Sequence, residues 1–236
     1  MTIETNVLTG QEAIKVSTAF ELSRERRDRE SAEEELRRTI DKLRKIAGAT
    51  IHAMARTVEV RDPYTAGHQK RVSDLARAIA NSLDLSADQI DGITMAGHIH
   101  DIGKISLPQE ILSKPGALTD IEFSLIKTHP EIGFKILKDV EFPWDIAQIV
   151  LQHHERLNGT GYPQGLSGNE TLLEARILAV ADVVEAISSH RPYRPALGLD
   201  KAIDEIVSKK GVLYDPHVVD ACLCVVDKWS SDTKGR

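Results

Sequence analysis

Aromatic side chains are scarce: Phe, Trp and Tyr make up 4% of the 236 residues. That leaves little material for the stacked platforms on which proteins hold long single strands of nucleic acid. Basic charge is not in excess either, with a net charge of −6 and a pI near 5.9. A nucleic-acid polymer is therefore not an expected partner, although a local cluster of metal, Lys and Arg can still take a small anion. Cysteine is limited to Cys222 and Cys224. One residue apart, they make a poor disulfide pair, and the chain suits a reducing cytoplasm. They read as small buried side chains on the last helix rather than as a metal site. No run approaches the ~20 apolar residues of a membrane span, so no membrane partner is expected. The opening MTIETNVLTG lacks the basic and apolar regions of a secretory signal. Period-two alternation is rare, so strands should be minor.

What is present is helical periodicity. Residues 1–11 read as a polar, flexible tail, and residues 12–60 as a long helix without proline. Its block RERRDRESAEEELRRTIDKLRK pairs opposite charges four residues apart, as in Glu33–Arg37 and Glu34–Arg38, which supports a solvated helix. Leu36, Ile40, Leu43, Ala47, Thr50 and Met54 form a short heptad seam. The seam suits either a coiled-coil stalk in a homodimer or one amphipathic helix packed on its own domain. Residues 61–230 read as a second, mostly helical domain. Helices are predicted over 66–84, 87–101, 119–138, 144–156, 170–188, 199–209 and 215–229, with Ser86, Thr119 and Asp215 as caps. The fold class is all-α.

The chemistry is carried by histidine and aspartate. HIHDIGK sets His100 beside Asp101, with Lys104 following at one helical turn. An imidazole beside a carboxylate offers a divalent metal nitrogen and oxygen, and the carboxylate can bridge to a second ion. Lys104 is a poor ligand but a good contact for phosphate oxygens. His153-His154 ends the run IAQIVLQHHERLNG, whose Ile146, Ile149 and Val150 point to a core-facing helix. Two histidines there are costly to bury unless paired or ligated, and Glu155 is expected to orient one of them. Asp182 lies among Ile177, Leu178, Val180, Val183 and Val184 and needs a partner. His68 and His129, taken singly, read as structural histidines. Together, five histidines and two aspartates exceed the needs of one structural zinc and suit a two-metal hydrolytic centre. Gly161-Tyr162-Pro163 sits in a glycine-rich loop that can approach a ligand closely. Arg191 and Arg194 follow the Asp182 helix and suit a second phosphate.

HIHDIGK, HHERLNGTGYPQGL and ADVVEAISSHRPYR, in this order, with DPYTAGHQKRV before them and GVLYDPHVVDA after, closely resemble the HD-GYP subgroup of the HD-domain phosphohydrolases. The resemblance covers about residues 50–228. It implies an all-α HD-domain bundle with a GYP loop, and cleavage of cyclic di-GMP by a metal-bridging hydroxide to pGpG, or to GMP if a second round follows. It implies two divalent transition metals, iron or manganese, with nickel or zinc as further options. On that resemblance His68, His100, Asp101 and Asp182 hold one metal. Asp101, His129, His153 and His154 hold the other, and Asp101 bridges. Lys104, Arg191 and Arg194 match phosphate contacts, and Gly161, Tyr162 and Pro163 form the substrate loop. Asn158 stands where an aspartate is usual, which predicts altered loop contacts. Tyr64 stands where some members place a third-metal glutamate, so two metals are expected. In multidomain relatives such N-terminal helices pass a signal from another domain, which implies a signalling partner. Two alternatives stay open: a different cyclic dinucleotide, such as cyclic GMP-AMP, or a non-catalytic module acting through protein contacts. A broken ligand set would mark the latter, and all seven ligands are present.

Overall fold

The computed structural model describes residues 10–61, 67–189 and 196–234, with side chains at 20–61, 67–189 and 196–231. Residues 1–9 of the expected tail, Tyr64, Arg191 and Arg194 lie outside the described residues. The chain forms two units, Met1–Ala49 and Thr50–Arg236.

The first unit is the body of helix α1 (Gly10–Arg61). Charge pairs cover its surface: Arg26–Glu30 at 2.8 Å, Arg29–Glu33 at 2.7 Å and Arg38–Glu34 at 3.0 Å. Glu33 thus pairs back to Arg29 rather than forward to Arg37. Leu36, Ile40 and Leu43 of the heptad seam are exposed.

The second unit begins with the last turns of α1, where Ile51, Ala55 and Val58 enter the core. It continues through α2 (His68–Ser82), α3 (Ala87–Ile99), a 3-10 helix (Ile102–Ser106), α4 (Gln109–Leu112), α5 (Asp120–Ile126), α6 (His129–Leu137), α7 (Ile146–Gln152), a second 3-10 helix (Gly168–Glu170), α8 (Leu173–Ser188), α9 (Leu199–Ser208) and α10 (Pro216–Lys234). Among the described residues, β-type pairing is limited to two isolated bridges, Asn158–Ser167 and Lys210–Tyr214. The all-α class holds.

The core is where apolar stripes of α2, α3, α8 and α10 meet. Val72, Leu75, Ala76, Ile79 and Ala80 repeat at helical spacing on α2 and are fully buried. They share the core with Ile93 and Ala96, with Ile177, Leu178, Ala181 and Val184, and with Val218, Val219, Cys222 and Val226. Each such aliphatic side chain contributes roughly 1.5–3 kcal/mol by leaving water. Cys222 is buried as expected, but Cys224 is exposed on the far side of α10. Caps fix the helix starts. Ser86 with Gln89, and Thr119 with Glu122, form reciprocal capping boxes. Asp215 accepts from the amides of His217 and Val218.

Three predicted helices are shorter or divided. The 119–138 stretch is two helices, α5 and α6, because Thr128 and Pro130 sit at a fresh helix start. The 87–101 helix stops at Ile99, and the 144–156 helix stops at Gln152. Both early stops fall immediately before the paired ligand candidates.

Candidate metal centre

His100 and His153 keep helical backbone angles as the C-caps of α3 and α7, and the chain leaves the helix just after them. The His100-Asp101 pair bridges α3 and the 3-10 helix, which Lys104 N–H pins to Asp101 C=O at 2.9 Å. His68 opens α2 directly after Gly67, whose φ of 71° is a left-handed conformation suited to glycine. His129 opens α6. Asp182 lies midway along α8.

These elements bring His68, His100, Asp101, His129, His153, His154 and Asp182 to one place. Asp182 Oδ1 is 3.2 Å from His68 Nε2 and 3.9 Å from His100 Nε2. Asp101 Oδ2 is 3.5 Å from His100 Nε2 and 3.9 Å from His68 Nε2. Its other oxygen is 3.4 Å from His129 Nε2. His129 Nε2 is 3.3 Å from His153 Nε2, and the His153 and His154 ring centres are 4.0 Å apart. The donors fall into two groups, His68–His100–Asp101 and His129–His153–His154, and Asp101 touches both.

Four of the five rings are held from behind. His100, His129 and His153 donate Nδ1–H to the carbonyls three residues earlier, those of Gly97, Ile126 and Val150, at 2.8, 2.7 and 2.6 Å. His68 uses a side chain instead, with Nδ1 hydrogen-bonded to Glu185. Glu185 is fixed in turn by Arg71 Nε at 2.7 Å and Ser189 Oγ at 2.7 Å. With the Nδ1 of His68, His100, His129 and His153 donating, the Nε2 of each presents a lone pair to the cavity.

Lone pairs facing one another 3.3 Å apart repel unless a cation lies between them. His100 Nε2 is buried with no hydrogen-bond partner. Ligand atoms about 2.1 Å from one ion stand roughly 3 Å apart in tetrahedral or octahedral sites, close to the separations seen here. The residues therefore fit divalent cations.

The charge states agree. Burial, with His100 and His129 nearby, pushes His153 down to about 3. Burial takes His129 down to about 4 against the pull of Asp101, and it lowers His100 and His154 too. Burial alone would raise Asp101, but Lys104 with His100, His129 and His68 holds its carboxyl well below the usual range. Asp182 is held low by His68, again against burial. Neutral imidazoles and ionised carboxylates are the forms that ligate metal.

The rim completes the site. Lys104 Nζ lies 2.6 Å from Asp101 Oδ2. Tyr162 leans on His154 with ring centres 4.7 Å apart, and its amide donates to His154 C=O at 3.3 Å. The Tyr162–Pro163 peptide is cis. Gly161 passes so close to Glu155 that a Cβ would lie 2.4 Å from the Glu155 Cα. Glu155 does not orient a ligand imidazole. It accepts the amides of Gln164 at 2.7 Å and Leu166 at 3.0 Å, and so ties down the loop. Asn158 Oδ1 caps the loop entrance by accepting from Thr160 Oγ1 at 2.7 Å. His98 stays out of the site, edge-on to His52.

Three contributors escaped the sequence reading. Glu185, which orients His68, lies three residues after Asp182 on the same apolar helix, a spacing that could have flagged it. Arg71 repeats the signal three residues after His68. Gly103 is dictated by packing alone: a Cβ there would meet His129 O at 1.9 Å, so only glycine lets the Asp101 turn rest against α6.

A family model described as HD domain matches residues 52–218. The "Cyclic di-GMP phosphodiesterase response regulator RpfG" of Xanthomonas campestris is 41% identical over 195 residues, 82% of this chain and 52% of that protein. The "3'3'-cGAMP-specific phosphodiesterase 3" of Vibrio cholerae is 38% identical over 168 residues, 71% of this chain and 36% of that one. The chain spans about half the length, or less, of these curated relatives. The solved structure "Bd1817, a HDG"Y"P protein from Bdellovibrio bacteriovorus" aligns with a TM-score of 0.57 at 20% identity, covering 68% of this chain and 51% of that one, which speaks to fold alone. Among the described residues no helix is long and apolar enough to cross a membrane.

Proposed function

The chain belongs to the HD-domain family, and from that premise we propose that it is a metal-dependent phosphodiesterase that hydrolyses cyclic di-GMP to pGpG and onward to GMP. The observation that carries this reading is the set of inward Nε2 lone pairs around Asp101, with His100 Nε2 buried and unpartnered. His68, His100, Asp101 and Asp182 hold one divalent ion; Asp101, His129, His153 and His154 hold the other. Iron or manganese suits this mixed nitrogen and oxygen donor set, and nickel or zinc can occupy it. When bound, the two ions supply positive charge for the phosphodiester and make a nearby water more acidic.

The chain's own groups do the rest. The carbonyl-anchored imidazoles and Glu185 keep the donors fixed before substrate arrives, which lowers the reorganisation needed during reaction. Asp101 is the shared carboxylate. Lys104, beside it, steadies a non-bridging phosphate oxygen as charge builds. Gly161, Tyr162 and Pro163 line the mouth, where the Tyr162 ring offers a face to a nucleotide. Arg191 and Arg194 bring further positive charge to the phosphates. The reading places the chain in the cytoplasm, where a cyclic dinucleotide messenger acts.

The exposed Leu36, Ile40 and Leu43 support a homodimer through α1, in which a second copy covers the seam and a signalling partner acts on the stalk. Leu36→Glu with Leu43→Glu should yield monomers by light scattering; an unchanged mass would remove this role.

A related reading has 3'3'-cGAMP as the preferred substrate, favoured by the Vibrio cholerae relative of that name. Manganese-loaded protein offered each cyclic dinucleotide, with products separated by chromatography, decides between them. Faster loss of cyclic di-GMP supports the first reading, and faster loss of cGAMP the second. Metal-loaded protein that cleaves neither would make the chain a non-catalytic module.

A further inference from the structure

Lys127 closes α5 two residues before His129. The turn is rigid: Lys127 N–H donates to Phe123 C=O at 3.0 Å, Ile132 N–H to Thr128 C=O at 3.1 Å, and His129 Nδ1–H to Ile126 C=O at 2.7 Å. The turn thus ties the backbone of Lys127 to that of His129. Its Nζ lies over the Phe123 ring at 4.7 Å and over the Tyr162 ring at 5.8 Å, both within cation–π reach. Tyr162 leans on His154. The ammonium thus stands one aromatic ring away from the His129–His153–His154 group.

Lys127 differs from the other half-buried lysines. Lys104 is bonded to Asp101, Lys114 to Glu122, and Lys209 to Glu205. The Lys127 ammonium, half-buried as theirs are, has neither a hydrogen bond nor a carboxylate partner among the described residues. Its charge is stabilised only by two ring faces, which leaves the ammonium's donors open to an anion. Phe123, partly exposed beside it, adds an apolar surface.

We infer that Lys127, with Tyr162, forms the subsite for the phosphate of a cyclic dinucleotide that is not being cleaved. This deepens the phosphodiesterase reading and rests on it. Such a substrate carries two phosphodiesters in one ring. The one undergoing hydrolysis lies at the metal donors, where Lys104 serves it. The other must lie beyond them, still anionic, and Lys127 joins Arg191 and Arg194 in meeting its charge. Lys127 is a cation placed at the mouth with no carboxylate to compete for it, and the Tyr162 and Phe123 rings give the adjoining nucleoside something flat to rest on.

Steady-state kinetics of Lys127→Met and Lys127→Arg test this, on cyclic di-GMP and on bis(p-nitrophenyl) phosphate, which has only one phosphodiester. Metal content and Tm are measured alongside. Methionine keeps the stem over the rings and removes the charge. It should raise KM for cyclic di-GMP about tenfold, the size of one lost charged contact, and leave both constants for the small diester within about twofold. Arginine should restore most of the KM. An unchanged KM for cyclic di-GMP in Lys127→Met overturns the subsite, and so do equal losses on the two substrates, which would mark a structural role. Wild-type protein that cleaves the small diester but no cyclic dinucleotide overturns the cyclic-dinucleotide reading, and the subsite with it.

Discussion

The two donor groups at the centre are built differently. His68–His100–Asp101, with Asp182 beside it, combines imidazoles with two carboxylates, and its outermost ring is held by a charged chain, Arg71 to Glu185 to His68. His129–His153–His154 contains only imidazoles; two of them are anchored on backbone carbonyls, and one edge is open to Tyr162. Negative charge attracts cations more strongly than lone pairs alone. The first group should therefore load first and hold its ion tighter, while the second, nearer the mouth, should exchange more readily. Asp101 ties the two together, since one oxygen faces each group.

The sharpest way to break that comparison is Asp101→Ala, which removes the shared carboxylate. Both ions should be lost and turnover should fall below detection; elemental analysis showing full occupancy would sink the bridging role. Next comes His153→Ala, expected to leave about one ion per chain, because only the all-imidazole group is damaged. Loss of both ions would mean the groups do not load independently. Glu185→Gln keeps the shape but withdraws the carboxylate behind His68. It should weaken metal binding in the first group about 10–100-fold, with the second group unaffected, as a competition titration with a chelator would read. Lys104→Ala should keep both ions and lower kcat on the order of 10²-fold. The smallest effect is in α1: Arg29→Ala removes an exposed pair and should change stability by less than ~1 kcal/mol.

Acid also separates the molecule into regions. In metal-stripped protein the buried histidines stay neutral, with His153 near 3 and His129 near 4, whereas the unfolded chain takes up protons near 6.5. The unfolded state thus binds more protons between those values, and stability falls as pH drops below about 6.5. Asp101, Asp182 and Glu185, all held low when folded, extend the loss below pH 4. Urea midpoints at pH 7.5, 5.5 and 4.5 should decline in that order, and a flat profile would contradict buried neutral imidazoles.

Much of this was legible in the sequence, for physical reasons. The helical class and most helix cores follow from periodicity and caps, as with Ser86 and Thr119. Asp182 stands out because an isolated carboxylate in an apolar run needs a partner, whereas His68 and His129 read singly as structural histidines and joined the set through the family resemblance. What stayed hidden depended on three-dimensional approach. The helix ends at Ile99 and Gln152 carry no breaker residue at the stop itself. Glu155 looked like a ligand partner because it follows two histidines, yet its side chain reaches forward to the loop amides. Gly103 carries no local signal at all; its need arises only when α6 comes within contact distance. Glu185 and Arg71 were readable in principle, since each stands one helical turn from a ligand candidate.

The most direct test is the metal content of anaerobically purified protein, measured with cyclic di-GMP turnover in the same preparation. Close to two transition-metal ions per chain are predicted, with hydrolysis that a chelator abolishes and manganese or iron restores. Protein that takes up no transition metal under reducing conditions, or that hydrolyses the substrate equally well after stripping, would contradict the paired-cation centre.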